Sequence, residues 1–180
     1  ELFGTESMGR TAENLVEKYN ISRKDQDKFA YNSQMKAYKA QTDGKFKEEI
    51  VNVVIPQRKK EDIIFSDDEF IRQNTSMEVL AKLRTPFKEN GSVTAGNSSG
   101  LNDGAAAMLI ASDRAVKKHN LNSLAKIISS AVVGVEPKLM GIGPVKASLK
   151  ALKKAGLNLS QIDVLEINEA FSAQALACIR

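Results

Sequence analysis

Residues 124–180 alternate between apolar runs and helical patterns, and this alternation constrains the fold more than any other feature. "LAKIISSAVVGV" (124–135) is rich in β-branched residues and reads as a strand. Gly143-Pro144 opens a helix with Pro in its first turn, and Gly156 ends it. "IDVLEIN" (162–168) reads as a second strand, and a final helix follows it. Strand, helix, strand, helix at this spacing predicts an α/β class with parallel pairing and a right-handed crossover.

The first ninety residues have another character. "TAENLVEKYN" (11–20) predicts one helix, and Ser22 opens a second that Gly44 stops. "EEIVNVVI" (48–55) predicts a strand broken by Pro56, and "EDIIF" (61–65) a further short one. "SMEVLAKLR" (76–84) predicts a short helix closed by Pro86. This region is charged, irregular and short of apolar runs. It cannot hold a large core of its own and reads as an insertion resting on another unit. "GSVTAGNSSGLNDGAAAMLIAS" (91–112) then turns Gly-rich and apolar, and Ser112 caps a helix through His119.

The charges narrow the function. A net charge of +4 arises from 26 basic and 22 acidic residues, interspersed as in "QRKKEDIIFSDDEF" (57–70). Aromatic residues are only 6% of the chain, which argues against a nucleic-acid face built on stacking. The mild basic excess suits an anionic small ligand. The single cysteine, Cys178, excludes an internal disulfide or a multi-cysteine metal site and points to a reducing compartment. No apolar run reaches the roughly 18 residues of a membrane span. The chain lacks an initiator Met and ends on Arg180, so both ends read as cut.

Three stretches carry chemistry. In "DVLEINEAFSAQALACIR" (163–180), Asn168 stands where the strand meets the helix. Ligands of parallel sheets gather beyond the carboxyl ends of strands. An amide there can hold an oxygen that gains negative charge, directly or through a water; it can equally be a helix N-cap. Glu169 is expected in the first helical turn, favoured by the dipole. Glu166 needs a partner if the strand buries it. In "TAGNSSGLNDG" (94–104), Gly96, Gly100 and Gly104 let the backbone approach either a ligand or a neighbouring element closely. Cys178 shares a helical stripe with Phe171, Ala175 and Ile179 and reads as packed core rather than nucleophile. His119 ends a polar helix, a surface or dipole position. With one His and one unsuitable Cys, the chain by itself lacks a nucleophile and base.

"VTAGNSSGLNDGAAAMLI" (93–110), "GVEPKLMGIGPV" (134–145) and "INEAFSAQA" (167–175) resemble three signatures of the thiolase family, in order and at ordinary separations. "MGRTAEN" (8–14) and "AKLRTPF" (81–87) are similar to further family segments. The resemblance covers essentially the whole chain and is greatest to short-chain acetyl-CoA acetyltransferases. It implies a piece of a five-layer α/β/α/β/α protein roughly twice this long. Residues 1–102 would be the loop domain over coenzyme A, 103–123 the end of the N-terminal domain, and 124–180 the start of the C-terminal domain. The nucleophilic cysteine and the Gly-His-Pro histidine would lie outside this chain.

The resemblance also implies an activity: condensation of two acetyl-CoA to acetoacetyl-CoA, or the reverse thiolysis, through an acyl-cysteine in a ping-pong sequence. Asn168 matches the residue that holds a water in the oxyanion hole. Ser99 matches the serine on the pantetheine arm, with Ala95 and Gly100 beside it, and Arg72 the arginine at the adenine end. Phe87, Met140, Ala170 and Phe171 would line the pantetheine tunnel and acyl pocket, with Met8 nearby. Many members have His-Met-Gly where this chain has Ser7-Met8-Gly9, which leaves acyl-length preference open. Coenzyme A and its thioesters would be substrates, with no covalent cofactor and no metal. A cytoplasmic, bacterial homo-oligomer (dimer or tetramer) is implied, with no nucleic-acid or membrane partner. The competing reading is a non-catalytic module that binds acyl-CoA or serves as a structural subunit.

Overall fold

The computed structural model describes residues 4–180. Helix α1 spans Met8–Tyr19 and α2 spans Arg23–Thr42. Ser7 caps α1 by accepting from Arg10 N at 3.3 Å, and Ser22 caps α2 by accepting from Asp25 N at 3.0 Å. Asn20, in the left-handed conformation, closes α1. Strands β1 (Val53–Ile55) and β2 (Ile63–Phe65) pair antiparallel, Val54 opposite Ile64, around the turn that follows Pro56. Helices α3 (Met77–Ala81) and α4 (Asp113–His119) begin at the caps Ser76 and Ser112. A 3₁₀ segment, Pro137–Ile142, leads into α5 (Gly143–Ala155), and Gly156 closes α5 at φ 69°. The final helix, α6, runs Ser172–Ile179.

One expectation is overturned. Among the described residues, 124–135 and 162–168 form no strand, so the parallel pairing is absent. The apolar residues that predicted those strands lie open: Ile127, Ile128, Val132, Val164 and Leu165 are all exposed. A ladder needs a neighbouring backbone, and none lies alongside. Residues 129–132 instead follow α5, held by Ser129 Oγ donating to Ala151 O at 2.7 Å and Lys150 Nζ to Val132 O at 3.0 Å. The predicted strand 48–55 also shortens to its last three residues.

The early region does not close a core by itself: its buried residues pack against α6. Ala12 of α1 packs with Val93 and Ala173, while Leu15 packs with Ile21 and Ala177. Helix α1 therefore lies against α6 and against the 3₁₀ segment that carries Leu139 and Ile142.

Buried polar groups lock this core together. Glu13, 1% exposed, accepts from the backbone N–H groups of Ser92 and Val93, each at 2.7 Å. Asn97 donates to Asp27 Oδ1 at 3.0 Å and to Ser92 O at 3.1 Å, and accepts from Thr94 N at 2.8 Å. Arg23 pairs with Asp27 at 2.8 Å and donates to Leu80 O, tying α2 to α3. Every buried charge here thus has a partner, as the cost of desolvation requires.

Candidate active site

The loop 94–99 and the segment entering α6 meet backbone to backbone. Ser99 N donates to Ala170 O and Ser172 N donates to Asn97 O, both at 2.9 Å. This antiparallel bridge between Ser98 and Phe171 keeps the chain extended through Phe171. Two expectations change as a result. The helix starts at Ser172, not after Asn168, so Asn168 is no N-cap and Glu169 lies outside the first helical turn. Glu166 is exposed and carries no burial penalty.

A cavity of about 230 Å³ opens on one side of the bridge. Met8, Met140, Asn168, Ala170 and Phe171 all line it. The side chains come from α1, the 3₁₀ segment and the approach to α6, three pieces that the core holds against one another. Asn168 is exposed at the mouth, with its residue on the cavity wall. The wall is otherwise mostly apolar, and Leu15 and Ile167 contribute to it. Phe87 braces it from behind, its ring edge-on to Phe171 with centroids 6.3 Å apart.

The remaining predicted residues lie elsewhere. Ser99 lines a second cavity of about 180 Å³, with Phe70, Asn97 and Glu169 among its neighbours. The Arg72 guanidinium sits over the Phe70 ring, 5.6 Å from its centroid. A Cβ on Gly100 would stand 2.5 Å from that same ring, and one on Gly96 would strike Leu80 and Leu83. At both glycines, close approach serves a neighbouring element. Gly104 has nothing within 4 Å of such a Cβ. Ala95 is exposed and lines neither cavity. Ser7, at the departure from the family pattern, spends its hydroxyl on the α1 cap.

Sequence reasoning missed two polar residues of the first cavity. Thr11 donates from Oγ1 to Met8 O at 2.7 Å, fixing the first turn of α1. Gln174 is 7% exposed, and its Oε1 has no hydrogen-bond partner among the described residues. Its Nε2 faces Cys178 Sγ at 3.7 Å. Only the helical spacing of Gln174 from Phe171 and Cys178 marked it, because a polar residue on an apolar stripe is unusual. Cys178 is half-buried and donates to Gly141 O at 3.3 Å. Burial pushes its thiol up, partly offset by the Gln174 contact, the opposite of what a nucleophile needs. Ile179, predicted on the same packed stripe, is exposed instead. His119 ends α4 in solvent, as its polar surroundings predicted.

The profile of the thiolase N-terminal domain matches residues 1–114, and that of the thiolase C-terminal domain matches residues 121–180. The chain is 55% identical over 179 residues to a β-ketoadipyl-CoA thiolase of Acinetobacter baylyi, covering 99% of this chain and 45% of that protein. It superposes on the crystal structure of the Bacillus anthracis acetyl-CoA acetyltransferase with a TM-score of 0.93 at 48% identity, over 96% of this chain and 44% of that one. Human mitochondrial 3-ketoacyl-CoA thiolase gives a TM-score of 0.90 at 47% identity, over 95% and 43%. The chain thus spans less than half the length of the relatives it matches. No helix is long and apolar enough to cross a membrane among the described residues. Matched by both domain profiles and superposing closely on solved members, this chain has the α/β thiolase fold and belongs to the thiolase family of acyltransferases.

Proposed function

We propose that the protein carrying this chain is an acetyl-CoA C-acetyltransferase. It joins two acetyl-CoA into acetoacetyl-CoA and free CoA, or runs the reverse thiolysis. A cysteine outside this chain takes the acetyl group from the first acetyl-CoA, and CoA leaves with a proton. A base, also outside this chain, removes the α-proton of the second acetyl-CoA. The resulting enolate carbon bonds to the acyl carbon as the cysteine departs. Asn168 steadies the enolate oxygen through a water, where charge develops. Met8, Met140, Ala170 and Phe171 shape the acyl pocket and pantetheine tunnel, with Phe87 behind them. Ser99, Ala95 and Gly100 contact the pantetheine arm, and Arg72 lies at the adenine end. Coenzyme A is a substrate here and no covalent cofactor is needed. A cytoplasmic bacterial homo-oligomer in fatty-acid metabolism fits the same reading.

The observation that carries this reading is the shared cavity: Asn168 lines one wall with four of the residues matched to the acyl and pantetheine path. A second reading, with a longer acyl group, draws on the relative named a β-ketoadipyl-CoA thiolase. The test is Asn168→Ala in the full-length protein. Turnover should fall on the order of 10²–10³-fold, while CoA binding holds. Ordinary turnover would reject the assignment. Comparing acetoacetyl-CoA with a longer, dicarboxylic 3-oxoacyl-CoA separates the two acyl readings.

A further inference from the structure

We infer that Phe70 is a positioning residue for the nucleotide end of coenzyme A: its ring carries the Arg72 guanidinium on one face and seats an edge against Gly100, next to Ser99. The guanidinium carbon stands 5.6 Å from the ring centroid. A Cβ on Gly100 would lie 2.5 Å from both Cε2 and Cζ of the same ring. One side chain thus joins the residue matched to the adenine end to the loop matched to the pantetheine arm. Phe70 lines the second cavity together with Ser99, and it stands outside the motifs that carry the family resemblance.

The segment around the ring is held from α2. Gln34 Oε1 accepts from Arg72 N at 2.7 Å, and Gln41 Nε2 donates to Asp68 O at 3.0 Å. The two glutamines stand at i and i+7 and so share one face of α2. Asp68 in turn accepts from Phe70 N through Oδ1 at 3.1 Å. The backbone is therefore pinned on both sides of Phe70, and the ring has a fixed seat. Arg72 is exposed, and a long exposed side chain loses rotamer freedom when it binds. The ring beneath the guanidinium takes much of that loss beforehand. A guanidinium is planar and stacks on aromatic faces. With Phe70 on one side, its other side is presented to a second flat ring, that of adenine.

This inference rests on the placement of Arg72 at the adenine end given above, and its test separates the two. Thiolysis by the full-length protein is measured on acetoacetyl-CoA and on acetoacetyl-pantetheine, which lacks the nucleotide, with free CoA saturating for each variant. Phe70→Leu fills the space beside Gly100 and removes the aromatic face. It should lower kcat/KM for acetoacetyl-CoA about tenfold, with kcat within about twofold, and leave kcat/KM for acetoacetyl-pantetheine within about twofold. Phe70→Tyr keeps the face and should match the parent on both thioesters within about twofold. Arg72→Ala should show the same split as Phe70→Leu. Adding Phe70→Leu to it should cost nothing further, because the ring acts through the guanidinium. Equal losses on the two thioesters in Phe70→Leu, no loss on either, or a double variant worse than Arg72→Ala would each overturn the role of Phe70, and a split kept by Arg72→Ala would leave that of Arg72 standing. An Arg72→Ala variant without the split overturns the adenine-end placement, and the role of Phe70 with it. A parent inactive on both thioesters rejects the proposed function itself.

Discussion

Phe87 meets Phe171 edge to face, with ring planes at 89°. A Cβ added to Gly9 would overlap the Phe87 ring. Phe171 lines the first cavity, so the absence of a side chain at Gly9 is transmitted through two rings to the cavity wall. Gly9→Ala should cost about 1–3 kcal/mol of stability and weaken acyl-CoA binding in the full-length protein. Urea denaturation and calorimetric titration check the two halves separately.

Glu13 answers two buried N–H groups with one carboxylate oxygen. Glu13→Ala would leave both donors unpaired, and should cost about 2–4 kcal/mol. Glu17, one turn on, is the control. Its carboxyl is held low by a hydrogen bond from Lys88, but it is exposed. Glu17→Ala should leave stability close to the parent's, because an exposed ion pair is screened by solvent. Denaturation midpoints that fail to distinguish the two would contradict the role given to Glu13.

Cys178 gives a pH signature. Its folded thiol titrates above the ordinary value because burial disfavours the thiolate. The folded state thus holds its proton where the unfolded chain begins to release it. The associated stability is complete below about pH 8.5, the unfolded thiol value, and is lost as pH rises through the folded one. Stability should therefore fall more steeply above that pH in the parent than in Cys178→Ala. Alkylation by iodoacetamide at pH 8 should be slower in the folded than in the unfolded protein.

Gln174 carries an acceptor with no partner among the described residues. An apolar side chain of similar length removes that cost. Gln174→Met should leave stability unchanged or raise it by about 1 kcal/mol. A clear drop in melting temperature would mean that Oε1 is satisfied in the protein.

The helix ends were legible because their signals are local. Ser22, Ser112 and Gly156 do at close range what their residue types favour, and Gly143-Pro144 opens α5. The strands at 124–135 and 162–168 were not legible as such. An apolar β-branched run states a demand for burial, while pairing depends on a neighbour the run does not encode. The start of α6 misled for a related reason. Asn168-Glu169 imitates a helix cap, but hydrogen bonds from Ser99 and to Asn97 hold the chain extended for three more residues. Glu13 was invisible because its partners lie 79 and 80 positions away, and a glutamate on an amphipathic helix looks solvent-facing. The cavity residues were legible only through the motifs of the family. Periodicity alone placed Phe171 in the core and left Met8 and Met140 unremarked.

The uncovered leucines, isoleucines and valines of 101–110, 124–132 and 164–165 bear on how the chain's oiliness is counted. They raise its apolar fraction without adding to its interior. Trimming Leu109 or Ile128 to alanine would take little from the free energy that keeps α1, α2 and α6 together. Tolerance to such trimming in the isolated chain, set beside intolerance in the full-length protein, would map which of these side chains answer to surroundings beyond residues 4–180.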